Sequence, residues 1–309
     1  MTTERAQGPV GTLGELVRIG TDGLRDSGSE SARLDAELLM AHALNVDRTT
    51  VLAHPEARPG PAQLATWEAA IARRAAGEPV AYIRGVKEFY GIAISVDPRA
   101  LIPRPESEQL VELADAHTRE TLVGTPRAAD APRYQIWDVG TGSGAIAVAL
   151  AVILRRRGFG DAISILASDI STEALSLTIE NAVGHGVADI VTFGRGDLFA
   201  VEERPAEADL ILANLPYIPV GDIAALPIAA SFEPRLALDG GPDGLDVVRR
   251  LLAGLPDALA AGGVALLEIG GDQADAALGA ASSALAAWPA DIHLDLAGQP
   301  RVLRVRRPA

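Results

Sequence analysis

Residues 134–158 read YQIWDVGTGSGAIAVALAVILRRRG, and their order decides the fold. A short apolar run, YQIWDVG, has the length and composition of a buried strand. It stops at three closely spaced glycines, Gly140, Gly142 and Gly144, and GAIAVALAVILRRRG then continues with helical patterning. A glycine-rich loop between a strand and a helix lets the backbone turn tightly and approach a ligand closely. Outward from this unit the alternation repeats. AISILASDI is a strand and STEALSLTIENAVGHG a helix; IVTFGRGDLF and ADLILANL are strands; a helix follows around 244–260, then the strand GGVALLEIG. A helix over 272–287 and a hairpin, IHLDLAGQPRVLRVRR, complete the pattern. Strands alternating with helices predict an α/β domain around a mainly parallel sheet covered on both faces.

The segment before this domain has a different character. Thr12 and Glu15 form a potential capping box, ARLDAELLMAHALNV has one apolar helical face, and a third helix is expected from Pro61 to Ala76. Residues 1–78 therefore read as a small helical domain, and 79–105, rich in aromatic and β-branched residues between glycines, as a β-hairpin linker. The catalytic domain is expected over 106–309, beginning with a helix from Glu106 to about His117 and a surface loop over 119–133.

Bulk properties narrow the function. The chain has 309 residues, 48% of them apolar, no cysteine and a net charge of −14. Thiol catalysis and zinc-thiolate sites are excluded, and the simplest location is the cytoplasm. The first residues, MTTERAQGPVGT, lack the pattern of a signal peptide, and no apolar run is long enough for a bilayer. The five histidines, among them His42, His54, His185 and His293, lack metal-ligand spacing, so no metal site is expected. An acidic chain is poorly suited to grip nucleic acid, and neither that partner nor a membrane is expected.

Three carboxylates accompany the loop. Asp138 ends the first strand of the unit, Asp169 the second and Asp197 the third. A carboxylate at Asp169 suits the two hydroxyls of a ribose, and Asp197 an adenine amino group. Asp138 alternatively stabilises the loop, and Ser171 and Thr172 are better placed than Asp169 to cap the following helix. The loop itself is spaced G-T-G-S-G rather than as a dinucleotide loop, with an aspartate two residues before the first glycine, and is similar to the loop of class I methyltransferases; that resemblance implies a sulfonium ligand rather than a pyrophosphate, beside which an acidic residue is tolerable. The expected cofactor is S-adenosyl-L-methionine, held by Asp138, Gly140, Thr141, Gly142, Gly144, Asp169, Ile170, Asp197, Leu198 and Asn214. Arg104, in LIPRPES, either reaches the carboxylate of that cofactor or pairs with Glu106. A polar motif, Asn214-Leu215-Pro216-Tyr217, closes the strand LILA at the same sheet edge.

The chain resembles the protein glutamine N5-methyltransferases that modify peptide-chain release factors. The resemblance runs nearly end to end: ARLDAELLMAHAL (32–44), RRAAGEPVAYIRG (73–85), Phe89-Tyr90-Gly91, LIPRPESE (101–108), DVGTGSGAIAVALA (138–151), SDIS (168–171), NLPYIP (214–219), FEPRLALDGGPDGLDVVRRLL (232–252), EIGGDQ (268–273) and DLAGQPRVL (295–303). It implies a helical N-terminal domain that recognises substrate, joined by a hairpin to a seven-stranded Rossmann-like methyltransferase domain. It also implies that the Asn214 side-chain oxygen and the Leu215 carbonyl accept the two N–H bonds of a glutamine amide, that Tyr217 packs on the substrate, and that Glu233 lines the entrance. Three positions depart from the family: Leu215 replaces a proline, Gly271 a common tyrosine, and Ser107 the usual threonine. Leucine keeps the backbone carbonyl but loses the fixed φ of proline. The resemblance implies a release factor with a Gly-Gly-Gln loop as partner. The alternatives are a paralogue that methylates a small aromatic or N–H compound such as an indole, and an inactive scaffold.

Overall fold

The computed structural model describes residues 11–124 and 132–309. The chain divides into two compact units, one formed by residues 1–85 with 227–232 and the other by 86–226 with 233–309.

The first unit is helical. It contains α1 (Leu13–Asp26), α2 (Ala32–Leu44), α3 (Arg48–Ala53), α4 (Pro61–Ala75) and α5 (Val80–Arg84). The expected capping box is present: Glu15 N donates to Thr12 Oγ1 at 3.3 Å and Thr12 N to the Glu15 carboxylate at 2.8 Å. Leu13, Leu16, Leu39, Met40, Val51 and Trp67 make a shared core. Gly20 is required where α1 crosses α4, because a Cβ there would lie 2.7 Å from the Trp67 ring. The buried Asp35 of α2 is paired with Arg74 of α4 at 2.8 Å and takes hydroxyl donors from Ser29 and Ser31.

One expectation is corrected here. The hairpin does not begin at residue 79, because Val80–Arg84 is helical. Pro79 supplies an extended N-cap and Gly85, at φ 72°, a left-handed C-cap. These two ends and the burial of Tyr82 and Ile83 outweigh the strand propensity of VAYI.

The second unit opens with the hairpin β1 (Val86–Phe89) and β2 (Ile92–Ser95). Then come α6 (Glu108–Gly124), β3 (Tyr134–Val139), α7 (Ala145–Arg156), β4 (Ile163–Asp169), α8 (Thr172–Gly184), β5 (Val191–Asp197), β6 (Ala200–Val201), β7 (Ala208–Ala213), α9 (Asp246–Ala258), β8 (Leu259–Glu268), α10 (Ala274–Ala284), β9 (Ala290–Leu294) and β10 (Pro300–Arg306). The helix expected at Glu106 starts two residues later, behind a 3-10 turn at Pro105–Ser107. It also runs beyond His117 to Gly124, with Thr118 buried, so the start of the expected loop is helical. The rest of that loop, residues 125–131, and the N-terminal residues 1–10 lie outside the described residues.

The main sheet is ordered β6-β5-β4-β3-β7-β8-β10-β9. β5, β4, β3, β7 and β8 are parallel; β6 runs antiparallel to β5 at one side, and at the other β10 runs antiparallel between β8 and β9, so β9 again points along the parallel strands. The two-residue β6 brings to eight the seven strands expected. β3 and β7 are buried along nearly their whole length, as parallel strands between two helical layers must be. β3 continues through α7 to β4 on one side and has β7 on its other side, so the chain diverges at the β3–β7 boundary. A crevice opens there at the carboxyl ends of the strands. Among the described residues no helix is long and apolar enough to cross a membrane.

Candidate active site

The glycine loop is held from below and from the side. Gly140 N and Thr141 N donate to Ser168 O at 2.8 and 2.9 Å, which ties the turn to β4. Gly140, Gly142 and Gly144 have φ of 73°, 59° and 80°, a region open to glycine and costly to other residues. Two polar side chains of α8 complete the brace. Thr178 Oγ1 donates to Gly142 O at 2.9 Å, and the buried Asn181 donates to Ser143 O at 2.9 Å. Asn181 also bonds both backbone groups of Ser95, so it connects the loop to the hairpin. Gly144 is packed so tightly on α8 that a Cβ would lie 2.6 Å from Thr178 Cγ2.

Asp138 and Asp169 divide their work. Asp138 is buried beneath the loop and accepts the Thr141 hydroxyl at 2.6 Å. Burial pushes its carboxyl up to about 6 against the pull of that hydroxyl. It does not line the crevice, so of its two expected roles its position matches loop support. Asp169 does line the crevice. Its Oδ2 takes Gly142 N and its Oδ1 takes Ser171 N, both at 2.9 Å. Burial raises its carboxyl despite these donors. The Ile170 N–H also favours the carboxylate, and of its roughly four lone-pair sites some acceptor capacity remains toward the crevice. Ser171, as expected, caps α8 by accepting from Ala174 N.

The crevice has a volume of about 320 Å³. Asp169, Ile170, Asp197, Leu198, Asn214, Leu215 and Pro216 line it together with Gly140, Thr141 and Gly142. The structure thus brings together most of the expected cofactor residues. Asp197 is engaged by Arg250 of α9 at 2.6 Å. Leu198 turns beside it at φ 54°. Arg104 is not on the wall and does not pair with Glu106; it meets Glu233 at 2.5 Å. Glu233, expected at the entrance, is buried and also accepts Ile102 N at 3.1 Å. It therefore fastens the LIPRP segment to its own distant segment, FEPR.

The donor set fits S-adenosylmethionine. Carboxylate and amide oxygens from Asp169, Asp197 and Asn214 face a cavity whose arginines, Arg99 and Arg250, are neutralised by Asp97, Glu180 and Asp197. Such a wall favours a cation and hydroxyl donors and disfavours a polyphosphate. Leu198, Ile170 and Val247 offer apolar surface to a purine.

The Asn214 motif emerges from β7 beside this wall. Asn214 Nδ2 donates to the buried Ser107 Oγ at 2.8 Å. Leu215 is buried, and its Cδ2 would lie 2.9 Å from a Cβ at Gly140. The replaced proline therefore leaves a leucine that fills the space under the glycine loop. Tyr217 does not line the crevice; its hydroxyl lies 3.4 Å from Glu268 at the end of β8. Burial, with Glu268 beside it, pushes the Tyr217 phenol up to about 12, so it stays protonated. Gln273 Nε2 donates to Tyr217 O at 2.9 Å, and a Cβ at Gly244 would lie 2.2 Å from the same oxygen. The motif backbone is thus gripped by the EIGGDQ and DGGPDG segments.

Sequence reasoning did not single out Thr178, Asn181, Gln273 or Glu268. Polar residues three apart on one face of α8, and a glutamate closing an apolar strand, were the available signals.

The fold is that of the class I S-adenosylmethionine-dependent methyltransferases. The catalytic domain of hMettl16 in complex with a MAT2A 3'UTR hairpin superposes with a TM-score of 0.51 at 15% identity, over 84% of this chain and 87% of that one, a likeness of fold alone. The family model of the PrmC N-terminal domain matches residues 15–85. The release factor glutamine methyltransferase of Moorella thermoacetica is 40% identical over 94% of this chain and 95% of its own length. Its counterpart from Deinococcus radiodurans is 38% identical over 96% and 98%. The chain belongs to the release factor glutamine methyltransferase family.

Proposed function

We propose that this protein transfers a methyl group from S-adenosylmethionine to the side-chain amide nitrogen of the glutamine in a release-factor Gly-Gly-Gln loop. The near full-length identity to relatives of that name carries this reading. Those relatives do not favour the small aromatic acceptor. We assign cofactor binding to the crevice residues Gly140, Thr141, Gly142, Asp169, Ile170, Asp197 and Leu198, with Asp138 and Gly144 holding the loop from behind. Substrate recognition is assigned to the helical unit, residues 1–78 of the expected division, and the setting to the cytoplasm.

When bound, S-adenosylmethionine supplies an electrophilic methyl on a sulfonium. An amide nitrogen is a weak nucleophile because its lone pair is delocalised into the carbonyl. Two fixed acceptors, Asn214 Oδ1 and the Leu215 carbonyl, would hold the NH2 group in line and stabilise the charge that grows on nitrogen. The protonated Tyr217 cannot serve as a base and instead packs the substrate amide.

The test is methyl transfer from labelled cofactor to a purified release factor, with mass spectrometry locating the added methyl. Modification of the Gly-Gly-Gln glutamine is expected. An unmodified loop in the presence of cofactor-loaded enzyme refutes the substrate. Asn214→Ala should lower kcat by about 100-fold or more while cofactor affinity, measured by calorimetry, stays within about threefold.

A further inference from the structure

Gln273 stands at the N-cap of α10, a position where a short polar side chain ordinarily takes up a free helix amide, yet its side chain makes no such bond. It is buried and turns instead to the segments that leave β7 and β8. Gly270 N donates to its Oε1 at 2.8 Å, which fixes the amide with its NH2 group pointing the other way. That group donates to Tyr217 O at 2.9 Å and reaches Asp243 O at 3.5 Å. One side chain therefore joins the turn after β8, the end of the Asn214 motif and the loop before α9.

The motif is anchored on both sides of the carbonyl assigned to the substrate. Upstream, Ala213 is held in β7 by its register with Val139 and Leu267. Downstream, Gln273 holds Tyr217 O, and Ile218 N donates to Leu238 O at 3.1 Å. The space around the downstream carbonyls is closed: a Cβ at Gly240 would lie 2.7 Å from Pro216 O, and one at Gly244 would lie 2.2 Å from Tyr217 O and 2.6 Å from Gln273 Nε2. Asn214, Leu215 and Pro216 are thus strung between two fixed points.

Within that span the soft angle belongs to Leu215. Pro216 has its own φ locked and keeps the residue before it extended, but the φ of Leu215 is free, as it would not be in a proline. Rotation about it swings the Leu215 carbonyl relative to Asn214. We propose that Gln273 is a positioning residue for methyl transfer: by holding Tyr217 O it takes up the freedom at Leu215 and keeps the Leu215 carbonyl aimed, beside Asn214 Oδ1, at the substrate amide. This inference rests on the reading of those two oxygens as the acceptors for a glutamine amide.

The test measures methyl transfer to release factor by wild type, Gln273→Ala, the volume-matched Gln273→Met, Leu215→Pro and the double variant Leu215→Pro/Gln273→Ala. Backbone amide order parameters of Leu215 and Tyr217 are measured alongside, by nuclear magnetic resonance on substrate-free protein. Gln273→Ala and Gln273→Met should each lower kcat about 10-fold, the worth of one neutral hydrogen bond, with KM and cofactor affinity within about threefold. On top of Leu215→Pro, Gln273→Ala should lower kcat by less than about threefold, because the proline already fixes the angle that Gln273 restrains. The order parameters of Leu215 and Tyr217 should fall from about 0.85 to below about 0.6 in Gln273→Ala, while those of β3 stay unchanged. An equal loss of kcat in the two backgrounds overturns the proposal, since it places the effect of Gln273 in the fold and not at the Leu215 angle. So does a folded Gln273→Ala or Gln273→Met enzyme as fast as wild type, and so do unchanged order parameters. If wild type leaves the release factor unmodified, the substrate reading has failed, and the order parameters still decide whether Gln273 holds the motif.

Discussion

Asp169 carries two jobs in one carboxylate. It accepts the Gly142 and Ser171 amides, which shapes the loop, and it offers its remaining lone pairs to the crevice. Asp169→Ala should therefore weaken cofactor binding by about 10- to 100-fold and lower stability by about 2–3 kcal/mol, since hydrogen bonds to a charged group are lost. Calorimetry and thermal unfolding would separate the two; unchanged affinity would remove Asp169 from the cofactor site. Leu215 presents the opposite case, a residue whose side chain serves packing while its carbonyl is assigned to the substrate. It is buried against the loop, in the same core as Val139 and Leu245. Leu215→Pro should retain methyl transfer to within a few-fold but cost about 1–2 kcal/mol for the packing it removes, read as a lowered Tm. A folded Leu215→Pro enzyme that binds cofactor without transferring methyl would show that leucine was selected for another acceptor.

α8 is the element that converts a flexible glycine loop into a rigid cradle. Thr178 and Asn181 project from one face and meet three loop and hairpin carbonyls: Gly142, Ser143 and Ser95. Because Asn181 is buried, truncation removes the side-chain donor from the Ser143 and Ser95 carbonyls in a dry environment. Asn181→Ala should lower stability by about 2–3 kcal/mol and weaken cofactor binding although the side chain does not line the crevice. Hydrogen exchange of the loop amides would report the lost brace; unchanged exchange at Gly142 and Ser143 would show that Ser168 alone holds the turn. Within the first unit, α5 shows how end groups override composition: VAYI has strand character, but Pro79 and Gly85 close a helical turn around it.

The molecule as a whole balances two kinds of titrating group. Surface carboxylates such as Asp97 and Asp243 are held low by Arg99 and Arg249, so their stabilisation is present above about pH 4 and lost as pH falls toward their folded values. His42, His117 and His293 are lowered by burial, which favours the folded state as pH rises through the unperturbed histidine value of 6.5. Asp138, Asp169 and Glu268 act in the opposite sense. Their folded values lie above the unfolded ones, so the unfolded chain ionises first and stability falls as pH rises. For Glu268 the window runs from 4.5 to about 7, and the shift is worth about 3 kcal/mol. The Tm of Glu268→Gln relative to wild type should therefore climb between pH 5 and 7.5 and level off above. A difference that stays flat over that interval would show that Glu268 is not raised in the folded state.

The fold class was legible because it rests on local order: strand, glycine turn and helix at 134–158, then repeated alternation. The positions of Asp169 and Asn214 followed for the same reason, since a residue closing a parallel strand must face the same sheet edge as its neighbours. The pairing of Arg104 with Glu233 could not be read, because the two lie 129 positions apart and a charge does not announce its partner. The same holds for Asn181 and Glu268. Each looks ordinary in sequence, a polar residue on a helix and an acid ending a strand. Only the packed sheet, by burying Asn181 beside loop and hairpin carbonyls, makes it a brace for the loop, and by burying Glu268 beside the Tyr217 hydroxyl raises its carboxyl.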